Sequence, residues 1–278
     1  MLPGLRFLSM ATWLLAFGMP SQLTAQSASH TPAGFPELPP GSPRGYLDLT
    51  GLPDSLALLP PPPADGSPAF ASDEAAREAA AKFKDTPRWS RAKSDADLHF
   101  PHAAETFSCA ANMPITKDRM PRLYVLLGKA FIDVGLSTHR AKTHYQRMRP
   151  FAIHSTISCT PDEEEVLRKD GSYPSGHSSA GWGWPLILTE LFPEHTDAIL
   201  RRGRDFGESR VVCDVHWQSD VDAGRIVAGA TVARLHAVPA FRAALDAAKS
   251  EIEIAKAEGA MPDANLCAEE AESLHQEP

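Results

Sequence analysis

Stretches with apolar residues at helical spacing alternate along the chain with short polar breaks, and no stretch shows the every-second-residue pattern of a strand. From Ser72 the segment SDEAAREAAAKFK reads as a helix, with a serine N-cap, acids in the first turn and lysines at the end. Residues 118–135 and 137–149 predict two more, the second closed by Pro150. A short acidic helix is expected over 161–169. Residues 177–191 are apolar enough for a buried helix that Pro185 should kink or restart. Residues 194–211 and 219–257 complete the set, the latter broken at Pro239. The pattern predicts an all-α protein with one helical domain over 71–257 and no internal repeat.

The flanks differ in texture. Residues 26–70 are rich in Pro, Ser and Gly and contain LLPPPP at 58–63, where four prolines enforce polyproline II. Leu56, Leu58 and Leu59 favour an arm laid across the domain over a free tether. Residues 258–278 are acidic with little core-forming content and are expected to be disordered. At the other end, Arg6 precedes an apolar run from Phe7 to Met19, with Thr24 and Ala25 following. That order predicts a signal peptide over 1–25, cleaved near Ala25, and a periplasmic or secreted product. No other segment approaches the roughly 18 apolar residues of a membrane span. A formal net charge of −8 argues against a nucleic-acid partner. Cys109, Cys159, Cys213 and Cys267 form no CxxC pair, and in an exported protein they allow two disulfides in three pairings.

Three clusters carry candidate chemistry. In KTHYQRMRP, Lys142 and Arg149 are seven residues apart, nearly two helical turns, which predicts two cations on one helix face. In GSYPSGHSSAGW, Ser175 is placed to cap a helix starting near Gly176. Free backbone N–H groups, the serine hydroxyl and a glycine without Cβ make such a start an anion site, with His177 beside it. In SRVVCDVHWQSD, Asp220 follows His216 by four residues, so its carboxylate reaches one ring nitrogen and leaves the other as nucleophile or base. Ser219 equally suits a helix cap closed by Asp222. With Arg210 the chain offers three cations, a helix N-terminus and two histidines, and neither a P-loop nor an acidic cluster for magnesium. These parts suit metal-free and cofactor-free handling of a phosphoryl group, one imidazole attacking and the other protonating the leaving oxygen.

Read together, K-x6-RP at 142–150, PSGH at 174–177 and SR-x5-H-x3-D at 209–220, separated by 23 and 31 residues, are similar to the signature of the phosphatidic-acid-phosphatase/vanadium haloperoxidase superfamily. The longer stretches SLALLPPPP, KTHYQRMRPF, GSYPSGHSSAGW and SRVVCDVHWQSDVDAGR resemble the class A bacterial non-specific acid phosphatases over roughly residues 50–250. The resemblance implies a helical bundle of that type, a homo-oligomer and hydrolysis of phosphomonoesters (nucleotides, sugar phosphates, aryl phosphates) through a phosphohistidine, with possible transfer to alcohols. It also implies inhibition by inorganic phosphate or vanadate. It assigns His216 as nucleophile, Asp220 as its orienter, His177 as general acid, and Lys142, Arg149, Arg210, Ser175 and Gly176 as the phosphate cradle. A vanadate-dependent haloperoxidase and a non-catalytic periplasmic phosphate-binding protein are the alternatives; the latter has no use for the His216–Asp220 pair. The segment LHFPHAAETFS places His99, Phe100 and His102 near the expected site entrance, where surface histidines are the plainer reading.

Overall fold

The computed structural model describes residues 41–274 together with Ala33 and Phe35, so the expected signal peptide and its cleavage point at Ala25 lie outside the described residues. These residues form helices and connecting loops without a strand. In chain order they are α1 (Ser55–Leu58), α2 (Pro68–Ala81), α3 (Pro87–Ser94), α4 (His102–Glu105), α5 (Pro121–Ser137), α6 (His139–Tyr145) and α7 (Pro150–His154). There follow α8 (Glu164–Leu167), α9 (Gly176–Leu191), α10 (Thr196–Val212), α11 (Gln218–Leu235), α12 (Pro239–Ala257) and α13 (Ala264–Leu274).

Helix α9 is the central rod, packed against α5, α10 and α11. It is apolar on most sides, as a helix surrounded by others must be. Trp184 is buried at its middle among Phe107, Phe131 and Phe206, and its indole N–H donates to the Leu127 carbonyl at 3.0 Å. A Cβ at position 181 would lie 2.2 Å from Phe206 Cδ1, so α10 approaches this closely only because residue 181 is glycine. The helix does not restart at Pro185. The helix runs through it, and the ring packs against Gly203 of α10, where a side chain would collide at 2.4 Å.

The arm is docked. Leu59 is buried with Ala141, Tyr173, Ala223 and Val227, and the Tyr173 hydroxyl donates to the Pro60 carbonyl at 2.9 Å. Upstream, the amides of Tyr46 and Leu47 both donate to Asp133 of α5. Helix α2 starts earlier than its charges indicate: Ser67, not Ser72, is the N-cap, accepting from the Phe70 amide at 3.1 Å, with Pro68 at the first helical position. Both disulfides form, Cys159–Cys213 and Cys109–Cys267.

The expectation of a disordered tail is corrected. Residues 264–274 are helix α13, cross-linked to the body through Cys267 and carrying buried Glu270 and Ser273. A rule based on apolar content misses a segment held by a covalent bond and buried ion pairs.

Candidate active site

The first cluster is assembled by a turn, not by a helix face. Helix α6 ends at Tyr145 because Gln146 takes a left-handed conformation (φ 43°), and Arg149 is the N-cap of α7. Lys142 and Arg149 therefore reach one another across the bend, and both meet the Asp170 carboxylate, at 3.3 and 3.1 Å. Lys142 Nζ also donates to the Gly171 carbonyl at 2.6 Å. Position 171 must be glycine, since a Cβ would lie 2.8 Å from the Lys142 carbonyl oxygen. Burial, reinforced by Arg149, pulls the Lys142 ammonium down to about 8.

The second cluster folds as its sequence predicts. Ser175 caps α9, its hydroxyl accepting from the Ser178 amide at 3.1 Å and from the Ser178 hydroxyl at 2.9 Å, which leaves its own O–H as a donor. A Cβ built on Gly176 would lie 4.0 Å from Lys142 Cε, so the helix start faces that lysine. His177 Nε2 lies 3.0 Å from the Ala96 carbonyl oxygen. A carbonyl only accepts, so Nε2 carries a proton, and in the neutral ring Nδ1 is the free acceptor. Burial, then the charge of Arg210, lowers His177 well below the ordinary histidine value.

The third cluster sets the other imidazole. His216 is buried, with Nδ1 3.3 Å from Asp220 Oδ2 and Nε2 3.1 Å from Arg149 Nη1. A guanidinium only donates, so Nε2 is the acceptor and the proton sits on Nδ1, facing the carboxylate. Burial, Arg149 and Lys142 together lower His216 well below its ordinary value. Asp220, not Asp222, closes the start of α11, its Oδ2 accepting from the Trp217 amide at 2.9 Å. Trp217, not Ser219, occupies the N-cap. Arg210 is buried on α10 with its Nε–H lacking a protein partner, and burial lowers it to about 10.

All eight expected residues thus belong to one neighbourhood, drawn from α6, the α7 cap, α9, α10 and α11. Three others escaped sequence reasoning. Arg147 donates to Asp220 Oδ1 at 2.7 Å and to Asp73 at 2.7 Å, while Asp73 also accepts from the Ser219 amide and hydroxyl. Asp73 looked like a first-turn acid, and nothing in QRMR distinguishes Arg147 from a solvated cation. Asp170 sits immediately before GSYPSGH, and its neighbours across the fold are invisible in sequence. The entrance segment splits: His99 is exposed beside Asp97, Phe100 packs on Tyr124 and Trp184, and His102 is bonded to Ser94. No helix among the described residues is long and apolar enough to cross a membrane.

A family model, the PAP2 superfamily, matches residues 122–243. The chain is 46% identical over 207 residues to a non-specific acid phosphatase of Providencia stuartii, covering 74% of this chain and 84% of that one. It is 41% identical over 218 residues to an acid phosphatase of Zymomonas mobilis, covering 77% and 81%. A non-specific acid phosphatase of Salmonella typhimurium is 41% identical over 201 residues, covering 72% and 80%. The family match over residues 122–243 includes all eight site residues, from Lys142 to Asp220, and the chain belongs to the PAP2 superfamily and, within it, to the class A non-specific acid phosphatases.

Proposed function

We propose that the protein is an exported, metal-independent acid phosphatase that cleaves phosphate monoesters through a phosphohistidine at His216. The observation that carries this reading is the orientation of His216: Nδ1–H toward Asp220, and the Nε2 lone pair toward the cation Arg149. The names of the related phosphatases support the reaction class.

In the proposed cycle the phosphoryl oxygens are held by Lys142, Arg149, Arg210, the Ser175 hydroxyl and the Gly176 amide. Donors fixed before the reaction stabilise charge as it develops without reorganising. Nε2 of His216 attacks phosphorus, the P–O bond to the leaving group breaks, and the leaving oxygen takes a proton from Nδ1 of His177. Water, giving a proton to Nδ1 of His177, then attacks phosphorus, the N–P bond to His216 breaks, and phosphate leaves. An alcohol in place of water gives phosphotransfer.

Both histidines are lowered well below the ordinary histidine value by burial, which favours the neutral ring in the free enzyme. A nucleophile needs that state. The acid does not, and its proton must arrive with the substrate: a phosphate ester binds one proton with a pKa of about 6. Acidic medium therefore supplies the protonated ester while burial keeps His216 unprotonated. We place the protein in the periplasm, as a homo-oligomer, on the leader pattern and the family resemblance.

The test is single-turnover labelling with a phosphomonoester in EDTA. The wild-type protein should form an acid-labile phosphoenzyme, and His216→Ala should form none while still binding orthovanadate. Labelling that survives in His216→Ala, or activity that returns only with a divalent metal, would sink the proposal.

A further inference from the structure

The ring of His177 is oriented by something remote from its own helix. Its Nε2 bonds to the carbonyl of Ala96, in the loop after α3, so the ring points wherever that carbonyl is held. The residue before Ala96 is the centre of a buried polar cluster. Asp95 is 1% exposed and takes a two-pronged contact from Arg202, Nη2 to Oδ1 at 2.5 Å and Nη1 to Oδ2 at 3.2 Å. It also accepts from the Ser209 hydroxyl at 2.6 Å, and Ser209 in turn accepts from Arg88 at 2.9 Å. Ser209 immediately precedes Arg210. One carboxylate therefore anchors both the carbonyl that aims His177 and the backbone that presents a phosphate cation.

The cluster continues into the C-terminal helix. Arg202 Nε donates to Glu270 of α13 at 3.2 Å, and Arg91 of α3 lies 3.6 Å from the same carboxylate while donating to Ser273 at 3.1 Å. Burial pulls the Arg202 guanidinium down, but Asp95 and Glu270 outweigh it, so it stays charged. Fork geometry on Asp95 fixes direction as well as distance. The Cys109–Cys267 bond ties α13 to the loop after α4 and keeps Glu270 in reach.

We propose that Asp95, Arg202 and Glu270 are positioning residues for His177, acting through the Ala96 carbonyl, with α13 and the Cys109–Cys267 disulfide as their outer anchor. The inference rests on the reading of His177 as proton donor. A misplaced donor should matter only where a proton must be delivered. An alkyl phosphate expels an alkoxide that needs the proton; a dinitrophenyl phosphate expels a phenolate that does not.

The experiment measures first-turnover phosphorylation of the full-length protein with both substrates and follows their rate ratio. His177→Ala should lower the alkyl rate by roughly 10²–10⁴, the usual contribution of a general acid, and the dinitrophenyl rate far less. Glu270→Ala and the double variant Cys109→Ala/Cys267→Ala should lower the ratio about tenfold, below the roughly hundredfold cost of a 1 Å misplacement. Glu270→Gln, which keeps an acceptor for Arg202, should restore most of the ratio. Equal losses on both substrates, or no loss on either, in Glu270→Ala and the double variant would overturn the positioning role. A flat ratio in His177→Ala would instead overturn the proton-donor reading, and the inference with it.

Discussion

The two imidazoles of the site are held in opposite ways. His216 has its proton-bearing nitrogen against a carboxylate, Asp220, which is itself fixed by the Trp217 amide and by Arg147. His177 has its proton-bearing nitrogen against a neutral carbonyl, that of Ala96. A carboxylate stabilises a positive ring; a peptide carbonyl orients one with much less charge stabilisation. Phosphorylation at Nε2 leaves His216 as a cationic ring, so the proposed nucleophile has the anion. The proposed acid must surrender its proton, and a carboxylate there would hold it back. Each ring has the partner its proposed step requires.

The largest expected effect comes from making the partners alike. Asp220→Asn keeps the shape but removes the charge, and its amide can present N–H to the wrong ring nitrogen. Turnover should fall roughly 10³–10⁴-fold, the scale of tautomer-fixing carboxylates in catalytic triads. Steady-state kinetics on p-nitrophenyl phosphate checks it; a loss under tenfold would mean that the carboxylate does no more than the carbonyl of Ala96 does for His177.

The next effect concerns stability. Arg147 neutralises two buried acids at once, Asp73 and Asp220. Arg147→Met leaves both without their cation, and removing one partner of a buried pair costs about 3–5 kcal/mol. Urea unfolding of the variant should show that loss at neutral pH and recover part of it in acid, where protonation relieves Asp220. The direction follows from Asp220, which burial already raises and Arg147 opposes.

Much of this site was legible in the chain because its ligands sit at helix starts and at helical spacings. Ser175, Gly176 and His177 follow from a cap signal, and His216 with Asp220 from an i, i+4 spacing that survives at the start of α11. The Lys142–Arg149 pairing is a right conclusion with a wrong reason, since the chain turns at Gln146 where helical periodicity predicts continuity. Asp170, Asp73 and the Asp95 cluster were illegible because their partners are 21 to 146 residues away in sequence, and a single chain read alone carries no trace of such pairings. The tail failed for a related reason: composition weighs apolar burial and is blind to a disulfide and an ion pair.

A smaller effect separates the cradle from its own acid. Asp170 pairs with Lys142 and Arg149, the cations proposed to hold phosphate, yet its side chain is 46% exposed. A half-exposed ion pair is worth about 1 kcal/mol or less, so competition with a bound anion is modest. Asp170→Asn should tighten inhibition by orthovanadate about two- to fivefold, on the same scale. Weaker inhibition in the variant would show that Asp170 arranges the two cations more than it competes for them.

The smallest effect lies in the pH profile, on the His216 side of the comparison, where the cations crowd. Lys142 is down at about 8, so it is a cation below that pH and neutral above it. The free-enzyme profile, kcat/KM against pH, should therefore fall as the ester loses its proton near about 6 and show a further shallow step as pH rises through about 8. Lys142→Gln should lower the whole curve and abolish the second step, because no cation remains there to titrate. Arg149 and Arg210 are also lowered by burial, but Arg210 only to about 10, well clear of the window. A second step that persists in Lys142→Gln would assign the titration to another group and remove Lys142 from the cradle's pH response.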